Sequence, residues 1–202
     1  ALKSLLAMDE HVPARLLLLR GCPGVGKSTL ISKVLERPEV GSLHPARVSR
    51  DSLMASVFKN PDFGRAGLAV FDDIVIYSVG RLLAAGHFVV VDGTCLSSAD
   101  TLMRYVAQAS SVGSSVIIVH CKCSETVALS RLKADVASGR HVSDVRNADL
   151  YKEVLGRMED LPEGLEHIGI DTSNDDDLDA NANIVAQHWL SKEAHLPKAF
   201  SD

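Results

Sequence analysis

Gly21-Cys22-Pro23-Gly24-Val25-Gly26-Lys27-Ser28 fits the pattern G-x-x-x-x-G-K-[ST] at every fixed position. Glycines let a backbone curl until successive N–H groups converge on phosphate oxygens. A helix opening directly after them adds unpaired N–H groups and the positive end of its dipole. Lys27 has the reach to meet β- and γ-phosphates, and the Ser28 hydroxyl suits Mg2+. Thr29 follows in the helix and is grouped with Gly21–Ser28 as nucleotide-binding. The expected ligand is ATP with Mg2+.

Two carboxylates stand where such chemistry would use them. Phe88-Val89-Val90-Val91-Asp92-Gly93-Thr94 is a valine-rich strand ending in an acid, the expected place for a group near the metal. Val48-Ser49-Arg50-Asp51 is a second short strand ending in an acid. Transfer to an alcohol needs a carboxylate that accepts the hydroxyl proton and aligns the oxygen, and Asp51 is the candidate. Its structural alternative is the N-cap of a helix starting at Ser52. Cations come from a polar stretch holding Arg131, Lys133, Arg140 and His141. Charges of this kind can close over a transferring phosphoryl group and exclude water. Arg131 and Arg140 are the expected lid cations.

These residues need a frame, and the hydropathy pattern supplies one. Strands are expected at Arg15–Arg20, Ala46–Arg50, Phe88–Val91, Val116–His120 and His167–Ile170. Helices are expected between them: Lys27–Arg37, one from Ser52, Leu68–Ala85, Ser98–Ser110, Thr126–Ser138 and Leu150–Met158, with Asp177–Leu190 closing the chain. In the third of these, Val70, Ile74, Tyr77, Leu82 and Leu83 recur at helical spacing as its apolar face. Asp175–Asp177 are expected to favour the last helix's N-terminus rather than a metal. Strand–helix alternation implies a parallel sheet with helices on both faces and right-handed crossovers. One domain is expected over residues 1–202, its core at about 15–190 and Leu196–Asp202 a fraying tail.

The order of these pieces resembles the P-loop kinase group that includes polynucleotide 5′-hydroxyl kinases, zeta toxins, gluconate kinases and chloramphenicol phosphotransferase. Within it the chain looks like the ATP-binding kinases with polynucleotide-kinase-like domains. Gly21–Ser28, Val48–Asp51, Leu83–Thr94, Arg131–Arg140 and Ile170-Asp171-Thr172 carry the resemblance. It implies a P-loop nucleoside triphosphate hydrolase fold, a five-stranded parallel sheet, a lid at about 131–146, Mg-ATP as donor and a hydroxyl as acceptor. By position it makes Asp51 the general base, sets Asp92 by the metal and brings Thr94 to the acceptor. Arg104 is a further acceptor-side candidate. Polynucleotide kinases carry an arginine three residues after the base, where this chain has Met54. Related lids carry a second arginine where this chain has Asp135.

Composition sets the remaining bounds. Of the 202 residues 46% are apolar and 23% charged, with a formal charge of −5. That acidity disfavours a long nucleic-acid footprint. No apolar run approaches the ~20 residues a membrane span needs. The first residues lack a secretion signal's pattern, and Cys22, Cys95, Cys121 and Cys123 show no disulfide framework, so a cytoplasmic setting is expected. Cys22 lies near a helix N-terminus, where a thiol pKa can fall and oxidation could block the loop. The leading expectation is transfer of the γ-phosphoryl group of ATP to a hydroxyl of a small molecule. A polynucleotide 5′-hydroxyl kinase, a switch module with weak ATPase activity and an interaction domain of a longer protein stay open as alternatives.

Overall fold

Leucines fill the strand between Arg15 and Arg20, and all of it is buried. Alternation sends Leu16 and Leu18 to one side, with Val75, Val79, Leu102 and Tyr105. Leu17 and Leu19 go to the other, with Leu30, Ile31, Val185 and Trp189. A strand apolar on both faces belongs in the middle of a parallel sheet covered by helices, and that is its position.

The computed structural model describes residues 13–59, 65–138 and 147–191. In chain order they form β1 (Arg15–Arg20), α1 (Lys27–Leu35), α2 (Pro38–Gly41), β2 (Ala46–Ser49), α3 (Arg50–Val57) and α4 (Arg65–Ala84). Then come β3 (Val89–Asp92), α5 (Ala99–Ser110), β4 (Ser115–Lys122), α6 (Glu125–Ser138), α7 (Ala148–Gly156) and β5 (Ile168–Asp171). A 3-10 turn at Asp175–Asp177 leads into α8 (Leu178–Leu190). The sheet has five strands in the order β2-β3-β1-β4-β5, and every pairing is parallel. The five-stranded parallel sheet with helices on both faces is therefore confirmed. The register pairs Ser49 with Asp92, which brings the carboxyl ends of β2 and β3 together. Among the described residues no helix is long and apolar enough to cross a membrane.

Three readings change. On α4, Val70, Ile74 and Tyr77 are exposed, and the buried face is Phe71, Val75, Ile76, Val79 and Leu83. This helix is apolar nearly all round, so periodicity alone could not pick the side. Arg50 opens α3 instead of ending β2. The acidic run forms the 3-10 turn, in which Asn174 Oδ1 accepts from Asp176 N at 3.1 Å. Asp177 stands at the N-cap of α8, but its side chain makes no capping hydrogen bond.

The arginines bounding β1 are both buried. Arg15 Nη1 donates to Trp189 O at 2.8 Å, where a cation meets the negative end of α8. Its guanidinium also lies 5.9 Å from the Phe88 ring centre. Arg20 donates to Glu159 O and, at 3.2 Å, to Met158 Sδ.

His120 on β4 yields a pH prediction. Burial first, then the charges of Lys122 and Arg20, push its imidazole down to about 4. In the unfolded chain it takes a proton near ~6.5, so between these values the unfolded state binds more protons. Its stabilising contribution is present above the unfolded pKa and is lost as pH falls toward the folded one. His120→Gln should shrink the loss of stability across that window by about 1–2 kcal/mol, allowing for partial solvent screening. Urea melts of both proteins across the window measure it.

Candidate functional site

The glycine-rich segment lies between the end of β1 and the start of α1. Gly26 is the N-cap of α1 at φ 88°, and no side chain caps it. The first N–H groups of the helix are thereby left for a ligand. Lys27 Nζ donates to Gly21 O at 2.7 Å and Cys22 O at 2.9 Å, so the ammonium lies across the loop it follows. Thr172, just past β5, donates its hydroxyl to Val25 O at 2.6 Å. Gly24 has φ +78°, and a Cβ there would lie 2.5 Å from Ala128 O and 2.8 Å from Leu132 Cγ. Backbone carbonyl cannot yield as a flexible side chain can. Gly24→Ala should therefore cost about 2–4 kcal/mol and weaken nucleotide binding together with stability, as melts and ADP titration would show.

Burial first, then the neighbouring Cys95, raises the Cys22 pKa despite Lys27. Buried at 7% exposure, this thiol is shifted upward, opposite in direction to the lowering that its helix-terminal position suggests.

Asp92 is 6% exposed. Its Oδ1 accepts from Ser28 Oγ and from Gly93 N, each at 2.8 Å. Its Oδ2 accepts from Arg47 Nε at 3.2 Å and from Arg47 Nη2. Burial acts to raise this carboxyl, but the bonds from Arg47, Gly93 and Ser28 outweigh it and hold it below its ordinary value. The hydroxyl of Ser28 and the carboxylate of Asp92 are hard oxygen donors side by side, a set that fits Mg2+ completed by phosphate and water. Among the described residues no group of three or more His, Cys, Asp or Glu could hold a metal by itself.

Asp51 sits in the first turn of α3, where the capping role falls to Ser49, whose Oγ accepts from Ser52 N at 3.3 Å. The cap reading of Asp51 is therefore not the one the structure adopts. Gly93 at φ +70° packs against this turn: a Cβ there would stand 2.8 Å from Asp51 N. Asp51 and Asp92 are in this way brought to adjoining strand ends. Arg50 Nε lies 3.6 Å from Asp51 Oδ1, and Arg50 Nη1 donates to both Asp72 oxygens at 3.1 and 3.3 Å. Thr94 is 7% exposed and its Oγ1 accepts from Leu96 N at 3.4 Å. Arg104 pairs with Asp73, linking α5 to α4. Met54 is a core residue, 1% exposed.

A cleft opens on the other side of the loop, lined by Gly26, Thr29, Arg131, Thr172, Leu178 and Asn181 among others. Arg131 Nη2 donates to Thr172 O at 2.8 Å and pairs with Asp175. Its Nη1 is buried and finds no acceptor among the described residues. A Cβ built on Gly26 would lie 3.6 Å from that nitrogen. Lys133, on α6 with Arg131, is exposed. Arg140, His141 and the second half of the expected lid lie outside the described residues.

Sequence reasoning singled out neither Arg47 nor Arg50 and Asp72. Arg47 becomes visible once β2 is registered on β3, because it lies two residues before Ser49 and so shares the face of Asp92. Asp72 carries no such signal, since its helix is separated from β2 by a stretch without a motif.

Sheet order and loop, with Asp92 at the end of β3 and Asp51 in the turn of α3 beside it, define a P-loop fold of the kinase kind. Residues 16–159 match the AAA domain family, and the chain belongs to it. Uncharacterized proteins of Mycobacterium tuberculosis and Mycobacterium bovis are 29% identical over 157 residues, 74% of this chain. The chain spans 30% of the length of these relatives. Among solved structures, a candidate kinase from Chloroflexus aurantiacus superimposes with a TM-score of 0.67 at 20% identity, covering 87% of this chain and 98% of that one. The Mycobacterium tuberculosis APS kinase, solved with AMPPNP and APS, gives 0.61 at 17% identity, covering 86% and 95%. A gluconokinase from Sinorhizobium meliloti gives 0.56 at 16%, covering 87% and 92%. At these identities the likeness is one of fold.

Proposed function

We propose that the protein transfers the γ-phosphoryl group of Mg-ATP to a hydroxyl of a small molecule. The observation that carries this is the convergence of the phosphate loop, the Ser28–Asp92 pair and Asp51 at neighbouring strand ends. The loop N–H groups and Lys27 hold the phosphates. The nucleotide base takes the cleft beside Gly26 and Leu178, with the orphaned Nη1 of Arg131 directed to the nucleotide. Arg131, and Arg140 from the lid, would supply positive charge around the phosphates. Ser28 and Asp92 would hold Mg2+, which would supply neutralisation of the phosphate oxygens. Asp51 takes the acceptor's hydroxyl proton as its oxygen bonds to the γ-phosphorus. The bond from that phosphorus to the bridging oxygen breaks, and ADP leaves.

A buried Met54 presents no charge to a substrate phosphate, which favours a small acceptor over a nucleic acid end. Thr94, nearly buried, and Arg104, paired on the outside of α4, are the less direct acceptor contacts. The test is incubation with γ-labelled Mg-ATP and two pools, 5′-hydroxyl oligonucleotides and small hydroxyl metabolites. Label in the metabolite pool supports the proposal. Label on the oligonucleotide makes the protein a polynucleotide kinase despite Met54. Nucleotide bound with label in neither pool turns the reading to a switch module.

A further inference from the structure

Asp92 is engaged on both oxygens, and one of its partners is a cation. The proposed function sets this carboxylate beside Mg2+, and the inference rests on that reading. Arg47 reaches Oδ2 through Nε and Nη2, while its Nη1 donates to Ser32 Oγ at 3.1 Å. Ser32 lies one turn beyond Ser28 on α1, and Ser32 Oγ donates in turn to Ser28 O at 3.0 Å. The guanidinium is thus fixed over the face of α1 that carries Ser28. An oxygen that accepts two N–H donors has little left for a metal, and a positive charge beside it repels a second one. Burial of Asp92 leaves this repulsion weakly screened. The Arg47 side chain is 36% exposed, so water is open to it if it lets go.

We propose that Arg47 is a built-in competitor of the divalent cation: it neutralises Asp92, and its charge opposes a metal arriving beside Ser28 and Asp92. Arg47 thereby sets the metal affinity of the site.

Calorimetric titration of Mg2+ into ADP-saturated protein tests this on wild type, Arg47→Ala and Arg47→Lys, with ADP binding in EDTA measured alongside. Arg47→Ala should bind Mg2+ about five- to tenfold more tightly, and Arg47→Lys, which keeps the charge but loses the fork, should fall between. In an Asp92→Asn background the gain should vanish. Equal or weaker Mg2+ affinity in Arg47→Ala, with ADP binding intact, overturns the competitor role and leaves the proposed function standing. If Arg47→Ala does not fold, Arg47→Lys decides, and no gain there overturns it. Wild type that binds no ADP overturns the nucleotide reading and this inference with it.

Discussion

Asp51→Asn is expected to keep ADP binding within about twofold of wild type while phosphoryl transfer falls by about 10³-fold. The amide matches the carboxylate in shape but cannot take the proton released as the acceptor oxygen attacks. Structure should survive the change, because Ser49 caps α3 and the close approach of Gly93 is to the Asp51 backbone, which the substitution leaves alone. The helix loses one favourable charge in its first turn, worth a few tenths of a kcal/mol up to about 1. Transfer of label and calorimetry on the same preparation separate chemistry from binding. An unchanged transfer rate would take the proton acceptor away from Asp51, and a lost ADP site would mean that the substitution reaches the loop.

Lys27→Ala should lower both nucleotide binding and transfer, the latter by about 3–4 kcal/mol of transition-state stabilisation. An ammonium has three donors, of which Gly21 O and Cys22 O take two. Lys27 is therefore a brace of the loop as well as the charge proposed for the phosphates. Lys27→Arg tests the distinction: its planar fork restores charge but does not reproduce a point donor shared by two carbonyls. We expect Lys27→Arg to recover binding in part and transfer little. Full recovery of transfer would show that charge alone suffices.

The loop, the acid that ends β3 and the strand–helix alternation were legible because each is a local pattern. Gly21–Ser28 encodes its own backbone shape, and Val89–Asp92 announces a strand buried on both sides. What the sequence hid depends on partners far along the chain. The outward face of α4 carries Val70, Ile74 and Tyr77, residues as apolar as those it buries, and only the packing of α5 and the sheet selects the inner side. The cap at Ser49 rather than Asp51 turned on a shift of two residues in where α3 starts, which propensity does not fix. Arg47 carries no local signal, because an arginine on an edge strand is ordinarily a solvated residue; its meaning comes from the β2–β3 register.

Val25 O and the hydroxyl that binds it are 147 residues apart, and Arg15 meets the last turn of α8 across 174. On the ribosome these partners emerge at opposite ends of a long interval. The phosphate-binding motif is complete in the nascent chain well before the strand and helix that hold it have been made. A chain halted before β5 and α8 would carry every residue of the motif and still lack its final shape, so the ability to retain nucleotide should appear only once β5 and α8 have been made, as a property of the finished sheet.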